Sequence, residues 1–545
     1  MVERTDFGVL YGQKTTEDAL LIYSSYEDAK ASPSKGDFIV LTPKNEDGRK
    51  FLTRVEAEIY DEDPIFRSQD KTLVAVHYAR IAERELSERD KQKMFSYTYR
   101  VRMLGTFTDS GQKIEFTTAV RKLPVVSYHA RHLSKREVDA IINKPDSSGA
   151  PIGQLCIGEE IHEDKGDILF NVQRLREKRT MVFAQSGFGK TNLVKVLLYH
   201  SIGDTSYGKL IFDLNGEYFV KGGQKTLGLG DIDEPRIRDN LVVYSDKEID
   251  DSYKEHFMFG GRVLINMHKH LTIGDILTFS TGFSDVMKSF LLYLDDEGVT
   301  DFIPKIDQYV SNPSELHRDY PDFFPPPKKI GEEDKSARKT IAAIRKRIRH
   351  LIDEGKGLHS HQSSLIDDVF KYLKQGKTVI IDLSLKDSTD ASIISTILVR
   401  KLFEHNKREF TSDKPGAVIE TVIFVEEAQN VLSEELVKTN ANPFVRCAKE
   451  GRKFGLGMVA ITQRPSAISE EIRTQAENFF AFYMGNSDDI RALVKSNINY
   501  DGVISTFIQT ETIPGNLYMV TSGRAFAVPI RVLEFERLVK DKVYK

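Results

Sequence analysis

The sequence predicts an α/β protein whose core is a parallel sheet, preceded by a β-rich domain and interrupted by a block of helices. Three observations predict it. Short segments rich in Val, Ile, Phe, Tyr and Thr, separated by turn residues, fill roughly the first 125 positions. From about residue 178, continuously apolar runs of strand length alternate with helical patterns, as in sheets covered by helices on both faces. Between about 270 and 375 those runs stop and helical spacing replaces them.

The N-terminal segments are "FGVLYG", "DALLIYSS", "DFIVLTP", "KFLTRVEAEIYD", "LVAVHYARIAERE", "YTYRVRMLGTFT" and "KIEFTTAVRKL". Lys35-Gly36-Asp37, the run from Pro43 to Gly48, and Asp109-Ser110-Gly111 supply turns between them. Many short strands at this spacing predict a small closed barrel, which leaves no sheet edge exposed. "SSGAPIGQLCIG" follows, and its Gly, Ser and Pro content marks a boundary near 147 to 158.

The expected core strands are "TMVFA" (180–184), "KLIFDL" (209–214), "NLVVYS" (240–245), "RVLINM" (262–267), "TVIIDLS" (378–384), "TVIFVEE" (421–427), "GMVAITQ" (457–463) and "FFAFYMG" (479–485). Within the helical block, Ile341, Ile344, Ile348 and Leu351 recur at helical spacing, and "PDFFPPPKK" reads as a loop. The domain reading is a barrel and linker over 1–150, the first part of the core over 151–269, a helical insertion over 270–375, and the second part of the core with C-terminal strands over 376–545.

A chain of 545 residues exceeds one ordinary core, so about two to four domains are expected. Its 40% hydrophobic and 29% charged residues describe a globular protein rather than a disordered or fibrous one. No apolar run approaches membrane-spanning length and the start lacks the apolar centre of a secretion signal, so a cytoplasmic protein without membrane contact is expected. Cys156 and Cys447 are far apart and expected to be buried thiols in a reducing compartment. A net charge of −4 excludes a globally basic nucleic-acid binder, so any basic surface must be local. "RKRIRH" at 345–350 is the strongest candidate. It reads either as a track for a DNA backbone or as the solvated face of an amphipathic helix. The histidines show no zinc-like spacing, and His359 and His361 read as part of a polar loop.

"MVFAQSGFGKTN" (181–192) carries the first chemistry. From Ala184 to Thr191 it matches the phosphate-loop pattern GxxxxGK followed by Ser or Thr, except at the first glycine. Gly187 and Gly189 let the backbone curl, so that the amides of Ser186 to Gly189, including Phe188, point at phosphate oxygens. The helix beginning at Thr191-Asn192 presents its N-terminus to the same anion. Lys190 would reach the β- and γ-phosphates and the Thr191 hydroxyl would ligate Mg²⁺, which makes ATP and Mg²⁺ the expected cofactors. Alanine at 184 requires only an ordinary backbone conformation there.

Such a loop needs acids at other strand ends. "TVIFVEEAQN" offers Glu426 for the metal side and Glu427 to orient and activate the attacking water, with Glu426 standing where aspartate is usual. "LIFDLNGEY" adds Asp213 and Glu217 at a second strand end, and both ends converge on the carboxyl edge where ligands of such sheets sit. Gln463 ends another strand and could sense the γ-phosphate. Arg452 precedes that strand, on the opposite side; it reads either as a surface cation or as an arginine finger for a neighbouring subunit.

Taken with the loop, "IFDLNGEY", "VIFVEEAQN", "EGRKFGLGMVAITQRPSAIS" and "IPGNLYMVTSGRAFAVPIRVLEF" resemble the HerA family of ATPases, relatives of the FtsK motors. The resemblance implies a RecA-like P-loop core and an N-terminal HAS-type barrel that docks a partner effector. It also implies a homohexamer that hydrolyses ATP at subunit interfaces and threads double-stranded DNA through its pore. Family roles fall on Lys190 and Thr191 (phosphate and Mg²⁺), Glu427 (water), Asp213 and Glu217 (acidic turn near the metal), Gln463 (sensor) and Arg452 (finger in trans). The chain shows no nuclease-like acid cluster of its own, so effector chemistry falls to another polypeptide. Family members pair with a NurA-type nuclease in DNA end resection, or with nucleases or sirtuin-like NAD-degrading proteins in anti-phage defence. Length and a divergent barrel favour the defence type. The alternative is an ATP-gated platform that regulates a partner with little translocation.

Overall fold

The computed structural model describes residues 6–14, 19–25, 33–44, 48–62, 95–158, 160–219, 226–278, 283–325, 335–412, 418–439 and 442–544. Its first strands are β1 (Asp6–Lys14), β2 (Ala19–Ser25), β3 (Phe38–Thr42), β4 (Arg49–Glu62), β5 (Phe95–Asp109), β6 (Ile114–Thr117) and β7 (His129–His132). They lie in the order β2-β1-β7-β3-β4-β5, and β2 pairs back onto β5. That last pairing closes the barrel, with β6 added on the outer side of β5. Ile22, Ile39, Leu41, Phe51, Val55, Tyr99 and Val101 fill its interior. The register of β4 against β5 shifts between Leu52 and Thr53 and between Val55 and Ala57. Such irregularities bend the strands enough to close a small barrel.

Two expectations for this domain change. The "AVRKL" half of the last predicted segment is not strand, and "HARH" (β7) takes its place in the barrel. Only Ala130 of β7 is buried, so its sequence carries no apolar alternation to read. "LVAVHYARIAERE" lies outside the described residues.

The second sheet holds β8 (Ala150–Ile157), β9 (Glu160–Ile161), β10 (Asp167–Phe170), β11 (Thr180–Phe183), β12 (Gly208–Asp213), β13 (Leu241–Tyr244), β14 (Met258–Gly261), β15 (Thr378–Asp382), β16 (Thr421–Val425), β17 (Leu456–Thr462), β18 (Asn478–Phe482), β19 (Asn516–Val520) and β20 (Val528–Val532). The path β18-β11-β17-β16-β12-β15-β13-β14 is parallel throughout, and β19, β20, β8 and β10 extend it antiparallel beyond β18. Every residue of β12, β13, β15, β16, β17 and β18 is buried, which is why these strands are continuously apolar in sequence. Helices α1 (Lys190–Ser201), α2 (Asp285–Asp296), α3 (Phe302–Ser311), α4 (Lys335–Ile352) and α5 (Ser388–Thr411) carry the longest helical runs used below.

The stretch read as a connector at 147 to 158 contains β8. Gly153 belongs to a close strand contact rather than to a turn, since a Cβ there would lie 2.3 Å from Ile530 and 2.4 Å from the Arg531 carbonyl. "RVLINM" is not a strand; β14 forms earlier, at Met258–Gly261. Val263, Ile265 and Met267 are buried alternately while the chain leaves the sheet, with Ile265 making one isolated bridge to His359. That alternation imitates a strand in the sequence.

Between β14 and β15 the elements are helical. Ile341, Ile344, Ile348 and Leu351 are all buried, in one cluster with Phe290, Phe302 and Ile306. Of the basic run on α4, Arg345 pairs with Asp307 at 2.6 Å and with Asp353, while Lys346, Arg347 and Arg349 are exposed. No helix among the described residues is long and apolar enough to cross a membrane. Both cysteines are buried and free.

The barrel docks on the segment joining β19 to β20. Phe526 packs edge-on against Phe38 (5.8 Å between centroids) and Phe116 (6.2 Å). Arg54 stacks over Phe38 at 4.7 Å and donates to the Ala527 carbonyl. Burial lowers the Arg54 pKa to about 10.

Candidate active site

The loop after β11 is stitched to both neighbouring strands at its start. The Ala184 N–H donates to the Thr462 carbonyl (3.2 Å) and the Gln185 N–H to that of Tyr483 (3.1 Å). Gly187 and Gly189 then adopt left-handed conformations, with φ of 84° and 104°. These are the turns that let a loop present successive amides on one side. Among the described residues, positive φ outside glycine occurs at Ser127 and Glu427 alone, so Ala184 takes an ordinary conformation. The Phe188 ring lies against Tyr483, 4.5 Å between centroids, and its carbonyl accepts the Gly515 N–H at 3.1 Å. Ser186 is exposed at the tip of the loop.

Lys190 opens α1 and folds back to donate to the Ala184 carbonyl at 3.2 Å. Partial burial lowers its pKa, and the carboxylates of Glu427, Glu426 and Glu217 oppose that shift. The cation therefore faces acids from two other strand ends. The Thr191 hydroxyl donates to Glu217 Oε2 at 2.8 Å.

Two of the expected ligands are corrected. The Asp213 carboxylate is consumed by its own turn: Oδ1 accepts the N–H groups of Asn215 (3.3 Å), Gly216 (2.7 Å) and Glu217 (3.1 Å), and Oδ2 accepts that of Tyr218 (3.0 Å). Burial nevertheless raises its pKa to about 6. Asp213 shapes the turn that carries Glu217 instead of facing a metal. The Asn192 side chain also points away from the loop. It donates to the Leu533 carbonyl (2.9 Å) and accepts the Phe535 N–H (2.8 Å), which clamps α1 to the chain after β20.

Glu426 directly follows β16 and is half-buried. Its Oε1 accepts the Tyr218 hydroxyl at 2.6 Å, and its Oε2 is buried without a hydrogen bond. Burial raises its pKa to about 7. Glu427 follows in a left-handed conformation with φ of 46°, a strained state for a non-glycine residue of the kind found at functional sites. Its Oε1 accepts Gln463 Nε2 at 2.9 Å and its Oε2 accepts Gln429 Nε2 at 2.5 Å. Gln429 in turn accepts the Thr462 hydroxyl at 2.5 Å. Sequence reasoning did not single out Tyr218 or Gln429, although each stands within a quoted motif, "GEY" and "EEAQN".

Lys190, Thr191, Glu217, Glu426, Glu427 and Gln463 thus meet at one edge of the sheet. Arg452 does not join them. It sits in the turn Gly451–Phe454 that enters β17, at the opposite edge, with an exposed side chain 3.7 Å from Glu477.

Residues 155–402 match the family model described as "Helicase HerA, central domain". Residues 331–487 also match the model described as "Zonular occludens toxin (Zot)". The DNA double-strand break repair helicase HerA of Sulfurisphaera tokodaii is 24% identical over 380 residues, covering 69% of this chain and 67% of the relative. The central domain is that of a HerA-family ATPase. The HerA protein of Saccharolobus solfataricus is 23% identical over 69% of this chain and 66% of its own length, so the chain spans about two thirds of these relatives. A probable helicase of Methanocaldococcus jannaschii aligns over 540 residues at 22% identity, 94% of this chain and 91% of that one. Among solved structures, VirB4 of Thermoanaerobacter pseudethanolicus gives a TM-score of 0.41 at 13% identity over 71% of this chain and 96% of that one. The bacterial conjugative coupling protein TrwB gives 0.44 at 11% identity over 74% and 93%.

Proposed function

We propose that this chain is an ATP-driven motor that acts on double-stranded DNA as a homohexameric ring, with a partner effector seated on the barrel. The observation that carries the reading is the meeting of Lys190, Thr191, Glu426 and Glu427 at one sheet edge while Arg452 lies at the other. Half of a hydrolytic site is present, and the cation that would complete it faces away.

In this reading the amides of Ser186 to Gly189 hold the phosphates and the Lys190 ammonium neutralises their charge. The Thr191 hydroxyl and Glu426 would hold Mg²⁺, with Glu217 positioning Thr191; the ion supplies charge neutralisation at the β- and γ-oxygens. The residues fit that ion, because Glu426 keeps one buried oxygen without a partner. Glu427 takes the proton from the attacking water, and Gln463 and Gln429 fix its orientation. Arg452 acts on the site of the adjoining subunit. The relatives described as DNA repair helicases support DNA as the track. Anti-phage defence and DNA end resection are the two pathways such a motor fits, and the chemistry of a copurifying partner separates them.

One observation favours the gating alternative: the barrel touches the β19–β20 segment whose far end, Gly515, bears on the phosphate loop. DNA-stimulated ATP hydrolysis across a salt series tests the motor. Stimulation should fall steeply with salt, because phosphate contacts release counterions. Subunits carrying Arg452→Ala, mixed with subunits carrying Glu427→Gln, should recover activity that neither has alone. Hydrolysis indifferent to DNA but changed by the partner would favour gating, and no recovery in mixed rings would remove Arg452 from the site.

A further inference from the structure

The beginning and end of the helical block meet in a cluster of histidines far along the chain from every residue of the nucleotide site. We propose that His268, His359 and His361, together with Glu354, bind a transition-metal cation of the zinc class that staples these two ends to each other. One ring nitrogen from each of the three histidines lies within 4.8 Å of the other two. Their ring centroids are 4.6 Å (His268–His359), 4.8 Å (His268–His361) and 4.3 Å (His359–His361) apart.

Each ring is held in a way that suits a ligand. His268 stands in the helical turn Met267–His270, and its Nε2 lies 3.0 Å from the Ile352 carbonyl at the end of α4. Donation to that carbonyl puts the proton on Nε2 and leaves the Nδ1 lone pair free, the outer-shell pattern of metal-bound histidines. His359 is buried, and its Nε2 has no hydrogen-bond partner. A buried polar atom without a partner is costly, and a ligand bond would satisfy it. Glu354 Oε2 lies 3.6 Å from that nitrogen and accepts the His361 N–H at 2.9 Å, so the carboxylate is tied to the same loop. The Met267 N–H donates to His359 Nδ1 at 3.0 Å, which places that ring's proton on Nε2. Coordination through Nε2 displaces that proton to Nδ1 and gives up the Met267 bond, a cost the ligand bond has to exceed.

Three imidazoles and one carboxylate make four N/O donors, a set that suits tetrahedral zinc with bonds of about 2.0–2.1 Å. His361 is the exposed member of the three histidines. Glu354 is also half exposed, so the ion enters from solvent. The sequence hides the site because the helices from Ile273 to Ile352 separate its first ligand from the others.

The full-length protein, stripped with a chelator, is titrated with Zn²⁺ by calorimetry and its metal content measured after desalting. One ion per chain is expected, with a rise in melting temperature, and the same in Glu426→Gln, which removes the metal-side acid of the nucleotide site and so separates the two sites. His361→Ala and His268→Ala should each weaken binding roughly 100-fold or more, since even outer-shell partners are worth about 10–100-fold. Cobalt in place of zinc should show the absorption of a tetrahedral site. His361 is exposed, so that variant folds even where His268→Ala does not. Absence of a stoichiometric ion, or unchanged affinity in His361→Ala, overturns the proposal.

Discussion

Replacing Glu427 by Gln separates chemistry from structure, because the surrounding hydrogen bonds can adapt. Glu427 accepts one amide on each oxygen, from Gln463 and Gln429, and Gln429 accepts the Thr462 hydroxyl. A glutamine at 427 keeps its carbonyl toward Gln463 and turns an NH₂ group toward Gln429. Gln429 then turns its own amide over, offering its carbonyl to residue 427 and its NH₂ to the Thr462 oxygen. Three hydrogen bonds survive, without charge assistance and with the Thr462 proton left unpaired, so stability should fall by no more than about 2 kcal/mol. A group that takes a proton in the transition state contributes about 10²–10⁴-fold, or roughly 3–5 kcal/mol of barrier. The variant should therefore melt near the wild type, keep its thermal shift with ATP, and lose turnover by at least about 100-fold. Phosphate release at saturating ATP, with and without duplex DNA, measures this. A kcat within about threefold of wild type would refute the assignment of the base, since it corresponds to well under 1 kcal/mol.

Other outcomes follow from the same geometry. Gly189→Ala places a side chain at φ 104° with its Cβ 3.4 Å from Phe482 and 3.5 Å from Gly515. Strain of roughly 1–3 kcal/mol should weaken ATP binding about tenfold or more in a titration, and unchanged affinity would show that the loop tolerates the turn. Glu426 has its folded pKa raised to about 7 from 4.5, so its contribution to stability is full below the unfolded value and lost as pH rises through about 7. His200, lowered by burial to about 4 from 6.5, acts in the opposite sense and loses its contribution as pH falls through that range. Glu426→Gln removes the first slope alone, so nucleotide-free stability between about pH 5 and pH 7 should rise more steeply with pH than in the wild type. Parallel melting curves would remove Glu426 as a titrating group. Arg54→Met keeps the apolar stem but loses the bond to Ala527, and the barrel should be released sooner by limited proteolysis, with a loss of about 1–3 kcal/mol.

The buried parallel strands were legible because burial on both faces leaves an unbroken apolar run, as in "TVIFV" and "NLVVY". The loop was legible because glycine spacing and a lysine are dictated by local backbone geometry. Three features were not. β7 has one buried residue among four, so nothing in its composition marks a strand. Val263, Ile265 and Met267 alternate like a strand because the chain is extended beneath the helices, although no neighbouring strand pairs with it along its length. Asp213 and Asn192 carry residue types suited to metal and phosphate, yet backbone amides and carbonyls several residues away claim both side chains. Local sequence announces the type of a polar group but not which partner satisfies it first.

The missing first glycine of the loop can be understood from what surrounds it. The chain around β19 and β20 holds the loop and its helix from outside at three points. The Gly515 N–H donates to the Phe188 carbonyl, the Gly515 carbonyl accepts the Val532 N–H, and Asn192 is bonded on both sides to Leu533 and Phe535. At the other end, β17 and the residue after β18 fix Ala184 and Gln185 through their carbonyls. A loop anchored at both ends and pressed at Gly189 needs left-handed freedom only where the chain turns, at Gly187 and Gly189. The same antiparallel pair carries Phe526 and Ala527, on which the barrel rests. β19 and β20 are joined by a regular ladder from Asn516–Arg531 to Met519–Val528, so this pair runs unbroken from the barrel contact to Gly515. The element that holds Phe188 and Asn192 is therefore also the one that ties the barrel to the phosphate loop.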